Sequence, residues 1–132
     1  MSNAQRSNYN GEEAVYDPEE RLVEFSARCI RLADTLNGSM SATHVAKQLL
    51  RSATSPYANH GEVEAAESQA EFNHKISICL KELRETKCWL QLVQKVSLVE
   101  SPERVTALLE ENEERICIFF SSLRTRKKKL DR

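Results

Sequence analysis

Residues 68–95 read SQAEFNHKISICLKELRETKCWLQLVQK, and their pattern decides the fold. No glycine or proline occurs between Gly61 and Pro102, so nothing in that stretch interrupts a helix. Ser68-Gln69-Ala70-Glu71 has the form of a capping box, with Ser68 and Glu71 each placed to satisfy the other's free N–H. Phe72, Ile76, Cys79, Leu83, Thr86, Leu90 and Val93 then recur at helical spacing and make one apolar seam. At about 100° per residue, a second stripe of Ile78, Trp89, Leu92 and Val96 lies about 100° round from that seam. A bundle helix needs only one such stripe. The second is either the margin of a wide core or a subunit contact, and an aromatic residue near its middle fits the make-up of interface centres.

The same reading extends to both sides. Asp17-Pro18-Glu19-Glu20 supplies an N-cap, a proline at the first helical position and acids in the first turn. Leu22, Phe25, Cys29, Leu32 and Leu36 follow as a seam, and Asn37-Gly38 stops the helix. Ser41 is placed to cap a second helix carrying Ala42, Val45, Leu49 and Ala53, which Pro56 should kink or end. Ser101-Pro102-Glu103 opens a fourth, with Val105, Leu108, Asn112, Ile116, Phe119 and Leu123. On that seam an amide at Asn112 would fix register at a cost in stability; a water-facing position is the other reading. Four amphipathic helices with short connections predict an all-α, antiparallel up-down-up-down four-helix bundle over residues 17–123. Residues 1–16, rich in Ser, Asn, Glu and Gln and without periodicity, read as a disordered leader. Residues 124–132 read as a basic C-terminal tail.

Composition agrees with that architecture. The chain has 132 residues, enough for one core without metal or disulfide staples. With 40% hydrophobic and 30% charged residues it is globular, and 3 Gly and 3 Pro disfavour a strand-and-turn design. No run approaches a membrane span. Its net charge of −1 does not predict nucleic-acid or anionic-membrane binding for the whole chain. The charge is uneven, however. Arg124, Arg126, Lys127, Lys128, Lys129 and Arg132 against Asp131 give a local +5, leaving −6 for the rest. Cys29, Cys79, Cys88 and Cys117 form no CxxC pair and have no histidine at zinc-ligand spacing, so reduced thiols in a cytoplasmic protein are expected.

The segment from Leu49 to Val93 resembles a known family. Its matching pieces are Arg51-Ser52-Ala53-Thr54-Ser55, Ala58-Asn59, Ala65-Ala66-Glu67-Ser68, Glu71-Phe72, His74-Lys75-Ile76, Leu80-Lys81-Glu82, Arg84-Glu85-Thr86 and Trp89-Leu90, in order and without gaps. They look like the bacterial four-helix-bundle proteins encoded within 23S rRNA intervening sequences. Pro56 and Tyr57 stand where those proteins commonly carry a small apolar residue and glycine. The resemblance implies an antiparallel bundle assembling as a ring of five, with no established enzymatic activity. Accessory proteins of diversity-generating retroelements are similar to that family, and bind nucleic acid and a reverse transcriptase. Those relatives are markedly basic and this chain is not.

Catalysis finds no support in the residues. There is no H-E-x-x-H, no phosphate-cradling glycine loop and no G-x-S-x-G elbow. Glu71-Phe72-Asn73-His74 is a Glu-x-x-His, an element di-iron bundles use in duplicate, but it occurs once and His74 points away from the seam. His44, His60 and His74 read as solvated or interfacial. No cofactor, metal centre or catalytic residue is expected. The candidate oligomer contact is Ile78, Glu82, Glu85, Trp89, Leu92 and Val96. There Glu82, Arg84 and Glu85 are either a solvated flank or charges that set register at a subunit boundary. Arg124, Arg126, Lys127, Lys128 and Lys129 are the candidate phosphate-binding residues; the alternative is a solvated helix end, where cations complement the dipole. The expected function is therefore an oligomeric interaction protein, a homopentamer whose other partners the residues do not name. The alternative is a nucleic-acid-binding accessory factor working with a reverse transcriptase.

Overall fold

The computed structural model describes residues 17–131, with side chains described for 17–123. The leader expected at 1–16 lies outside these residues. Four helices make up the fold: α1 (Pro18–Thr35), α2 (Met40–Glu64), α3 (Gln69–Lys95) and α4 (Pro102–Asp131). No strand occurs among the described residues. Each helix starts where its local chemistry predicts, with one shift. Asp17 accepts from the backbone N–H groups of Glu19 and Glu20 at 3.1 and 3.3 Å, below Pro18 at the start of α1. Ser68 accepts from Glu71 N–H at 3.1 Å. The Glu71 carboxylate reaches past Ser68 to the N–H of Glu67, also at 3.1 Å, so the box closes one residue further out than its sequence form implies.

The shift is at α2. Ser39, not Ser41, is its N-cap and accepts from Ala42 N–H at 3.0 Å. The reason is Gly38, whose φ of +93° turns the chain sharply and leaves Ser39 as the last extended residue. Nor does Pro56 end the helix: α2 continues past it to Glu64. Proline cannot donate to the carbonyl four residues back, and neighbouring helices bond the backbone around it. Ser26 of α1 donates to the Ala53 carbonyl at 3.0 Å, and the Cys79 thiol of α3 lies 3.7 Å from the Pro56 carbonyl. Contacts from α1 and α3 at Ala53 and Pro56 hold α2 in line at the proline, and the helix runs on where propensity alone would stop it.

Helix α3 ends without glycine. Ser97 takes a φ of +59°, Ser97 N–H bonds the Gln94 carbonyl at 3.3 Å, and Leu98 N–H bonds the Val93 carbonyl at 3.1 Å. These two bonds are the Schellman pattern, with serine where glycine is usual. Leu98 packs partly against the core and completes it.

Around the bundle the backbone of α1 lies close to α2 and α4, and that of α3 close to α2 and α4; α1 and α3 have no close backbone approach among the described residues. Leu22, Phe25, Cys29, Leu32, Leu36, Leu49, Ile76, Cys79, Leu83, Leu90, Val93, Val105 and Leu108 are essentially buried between them. Phe72 and Leu123 are half-buried at the edge. Asn112 is fully buried and donates to the Leu83 carbonyl at 3.0 Å, which settles it on the seam. Burying polar side chains costs unless they find partners, and Thr86 does so too, donating within 2.9 Å of Ser52 Oγ.

Candidate functional surface on helix three

The residues of the second stripe divide in two. Ile78 and Trp89 are half-buried, while Leu92 and Val96 are 40% and 52% exposed. Trp89 rests on the core edge and is held there by two contacts. Its indole N–H donates to Glu85 Oε2 at 2.9 Å, and the His44 ring of α2 meets it edge-on at 5.9 Å. An indole that buries its ring and satisfies its N–H locally is a rigid platform. Beside it Glu85, Cys88, Trp89, Gln91, Leu92 and Lys95 outline a shallow open hollow.

Glu82 and Glu85 turn inward, toward α2. Arg51 reaches both, at 3.2 Å to Glu82 and in close contact with Glu85. Arg84, by contrast, is exposed. Half-exposed ion pairs contribute little to stability, so the Arg51 bridge acts mainly to fix the α2–α3 flank. It frames an apolar strip that neither neighbouring helix covers.

Glu71 is engaged as a cap, His74 is exposed, and Lys75 beside it bonds Glu62, which holds the Lys75 ammonium above its usual range. The backbone of α4 stays helical through Asp131. The side chains of Arg124, Arg126, Lys127, Lys128 and Lys129 lie outside the described residues.

Two features escape the sequence pattern. Arg115 is the largest fully buried side chain, with Glu111 and Glu114 at 3.2 and 3.4 Å. Arg21 of α1 grips the same two acids at 2.9 and 3.0 Å, closing the α1–α4 seam with an acid–base cluster. A signal for Arg115 exists: alternating steps of three and four from Leu108 through Asn112 land on it. The second is a grouping of Glu19, His60 and Glu64 at one end of the bundle. His60 and Glu64 are four apart in sequence; nothing in sequence brings Glu19 to them.

Fold and surface together define a small four-helix bundle with an apolar strip left uncovered on α3. The family described as 23S rRNA-intervening sequence protein matches residues 19–118, and the chain belongs to it. It is 31% identical to a protein of unknown function from the S23 ribosomal protein family of Bacteroides thetaiotaomicron. That crystal structure matches with a TM-score of 0.75, over 81% of this chain and 98% of the other. No curated protein matches. Among the described residues no helix is long and apolar enough to cross a membrane.

Proposed function

We propose that the chain is a non-enzymatic scaffold: an antiparallel bundle that joins four further copies of itself in a ring. The antiparallel order is supported by the run of cross-helix contacts. Ser52 with Thr86, Pro56 with Cys79 and Glu62 with Lys75 climb α2 while descending α3. Leu83 with Asn112 and Gln94 with Thr106 do the same between α3 and α4. The observation that carries the assembly is the exposure of Leu92 and Val96 beside the fixed Trp89. A ring also needs a second, different patch on each subunit, because its contacts are head-to-tail. Val23 and Ile30, seven apart on α1 and both exposed, supply an apolar face on a helix other than α3.

Light scattering tests this. The unaltered chain should give about 75 kDa, five times 15.1 kDa, at micromolar concentration. Leu92→Glu and Val96→Glu would place a charge in the contact and should release helical monomers, since both side chains lie outside the core. A mass near 15 kDa for the unaltered chain overturns the ring.

A second reading, a nucleic-acid-binding accessory factor of a reverse transcriptase, is favoured by one observation. Helix α4 runs on through Asp131 and so carries the basic run as a helical extension. Five such extensions in one ring would multiply the local field.

A further inference from the structure

The geometry points to a divalent metal site of the zinc class formed by His60 and Glu64 at the end of α2 and Glu19 in the first turn of α1. One ligand atom from each of the three residues lies within 4.8 Å of the others. His60 Nε2 and Glu64 Oε2 are already 3.9 Å apart, one turn from each other on a single helix face. Ligands 2.0–2.1 Å from a tetrahedral ion sit about 3.4 Å from one another, so closure asks only for small side-chain rotations. The donor set suits this metal class: one imidazole and two carboxylates, with a coordination position left open.

Three further observations favour a cation here. The His60 side chain is only 16% exposed and its ring stands edge-on to Phe119 at 6.5 Å, so one ligand is held in place before binding. Glu64 is the last residue of α2, where the negative end of the helix dipole attracts positive charge. His60 and Glu64 line a cleft of about 590 Å³, also walled by Pro18, Phe72, Ile118 and Phe119, with room for the open coordination position. Arg115 also lines that cleft, and its charge is offset by Glu111 and Glu114. A metal ion in this site would tie the start of α1 to the end of α2. The site is distinct from the Glu71–His74 pair, whose carboxylate is engaged as a cap.

The test is titration of the full, tag-free, metal-stripped chain with Zn²⁺ by calorimetry and with Co²⁺ by absorption, alongside thermal melts. One equivalent of Zn²⁺ should bind with micromolar affinity and raise the melting temperature, as any ligand of the folded state does. His60→Ala, Glu64→Gln and Glu19→Gln should each weaken binding by roughly tenfold or more and abolish the melting shift, while helicity without metal is unchanged. No Zn²⁺ binding below about 1 mM, or unaltered binding in the His60 variant, overturns the site. A thiolate-to-cobalt charge-transfer band would also overturn it, by placing the metal on cysteine. Binding that survives Glu19→Gln with its melting shift intact overturns the link between α1 and α2.

Discussion

Cys29 and Cys79 face the core, and burial pushes their thiols up to about 12 and about 11. The thiolate is the reactive form. A disulfide-exchange reagent should therefore modify exposed Cys88 and Cys117 in the native protein, and reach Cys29 and Cys79 only as fast as the chain unfolds. The same shift links stability to pH. Both thiols stay protonated when folded and ionise near the ordinary value of 9.0 once unfolded. Their contribution is complete below that pH and declines as pH rises toward the folded values. Chemical denaturation at about pH 8 and about pH 10.5 should show the loss, and Cys29→Ala should reduce it. The Arg115 cluster is asymmetric in a way that can be measured. Removing Arg115 leaves Glu111 with Arg21, whereas removing Glu111 strips buried Arg115 of its 3.2 Å partner. Arg115 keeps Glu114 at 3.4 Å, so Glu111→Gln should cost about 2 kcal/mol, short of the range for a wholly uncompensated buried charge, and Arg115→Met should cost less in the same urea titrations. Arg115 was legible only as a position: the step pattern reaches it, but charge argues for the surface, and the Arg21 that shares its two acids comes from α1, distant in sequence.

Helix starts were legible because each carries its chemistry within four residues, as Asp17 and Ser68 show. Ends and interruptions were less so. Ser97 gives no warning in sequence that it will adopt a left-handed backbone; the two Schellman bonds and the burial of Leu98 impose it. An L-residue there carries a strain of about 1 kcal/mol that glycine lacks. Ser97→Gly should therefore stabilise the chain by about that amount, read as a raised denaturation midpoint with unchanged slope. A decrease in stability would show that the serine side chain contributes more than the backbone costs. The Ser41-to-Ser39 shift has a similar origin, since two serines two apart are equal candidates until Gly38 fixes which one stays extended.

At the scale of the molecule, the bundle follows from four seams that can only be buried against one another. The cross-helix groupings do not, because Glu19 with His60, or Arg21 with Glu111, depends on how helices slide and rotate in packing. The outer face of α3 was readable as a second stripe, yet Arg51 holding Glu82 and Glu85 inward was not. The basic run at 124–129 separates the two functional readings. If it binds phosphate, affinity for random RNA or DNA should fall steeply with salt through counterion release. Lys127→Gln, Lys128→Gln and Lys129→Gln together should flatten that dependence and leave the melting curve near its original position. Absence of binding at about 50 mM salt, where this attraction is strong, leaves the scaffold reading alone.

Pro56 divides the hydrogen-bond ladder of α2 without dividing the helix. Fraying that begins at Glu64 meets a missing rung before it reaches the residues under Ser26 and Thr86. The last two turns can thus open and reclose as a small cooperative unit, while the first half of α2 exchanges its amides only with the global core. Native-state hydrogen exchange would resolve one helix into two protection classes. A stretch of chain drawn as continuous would behave, on the timescale of minutes, as a fixed stem with a hinged tip.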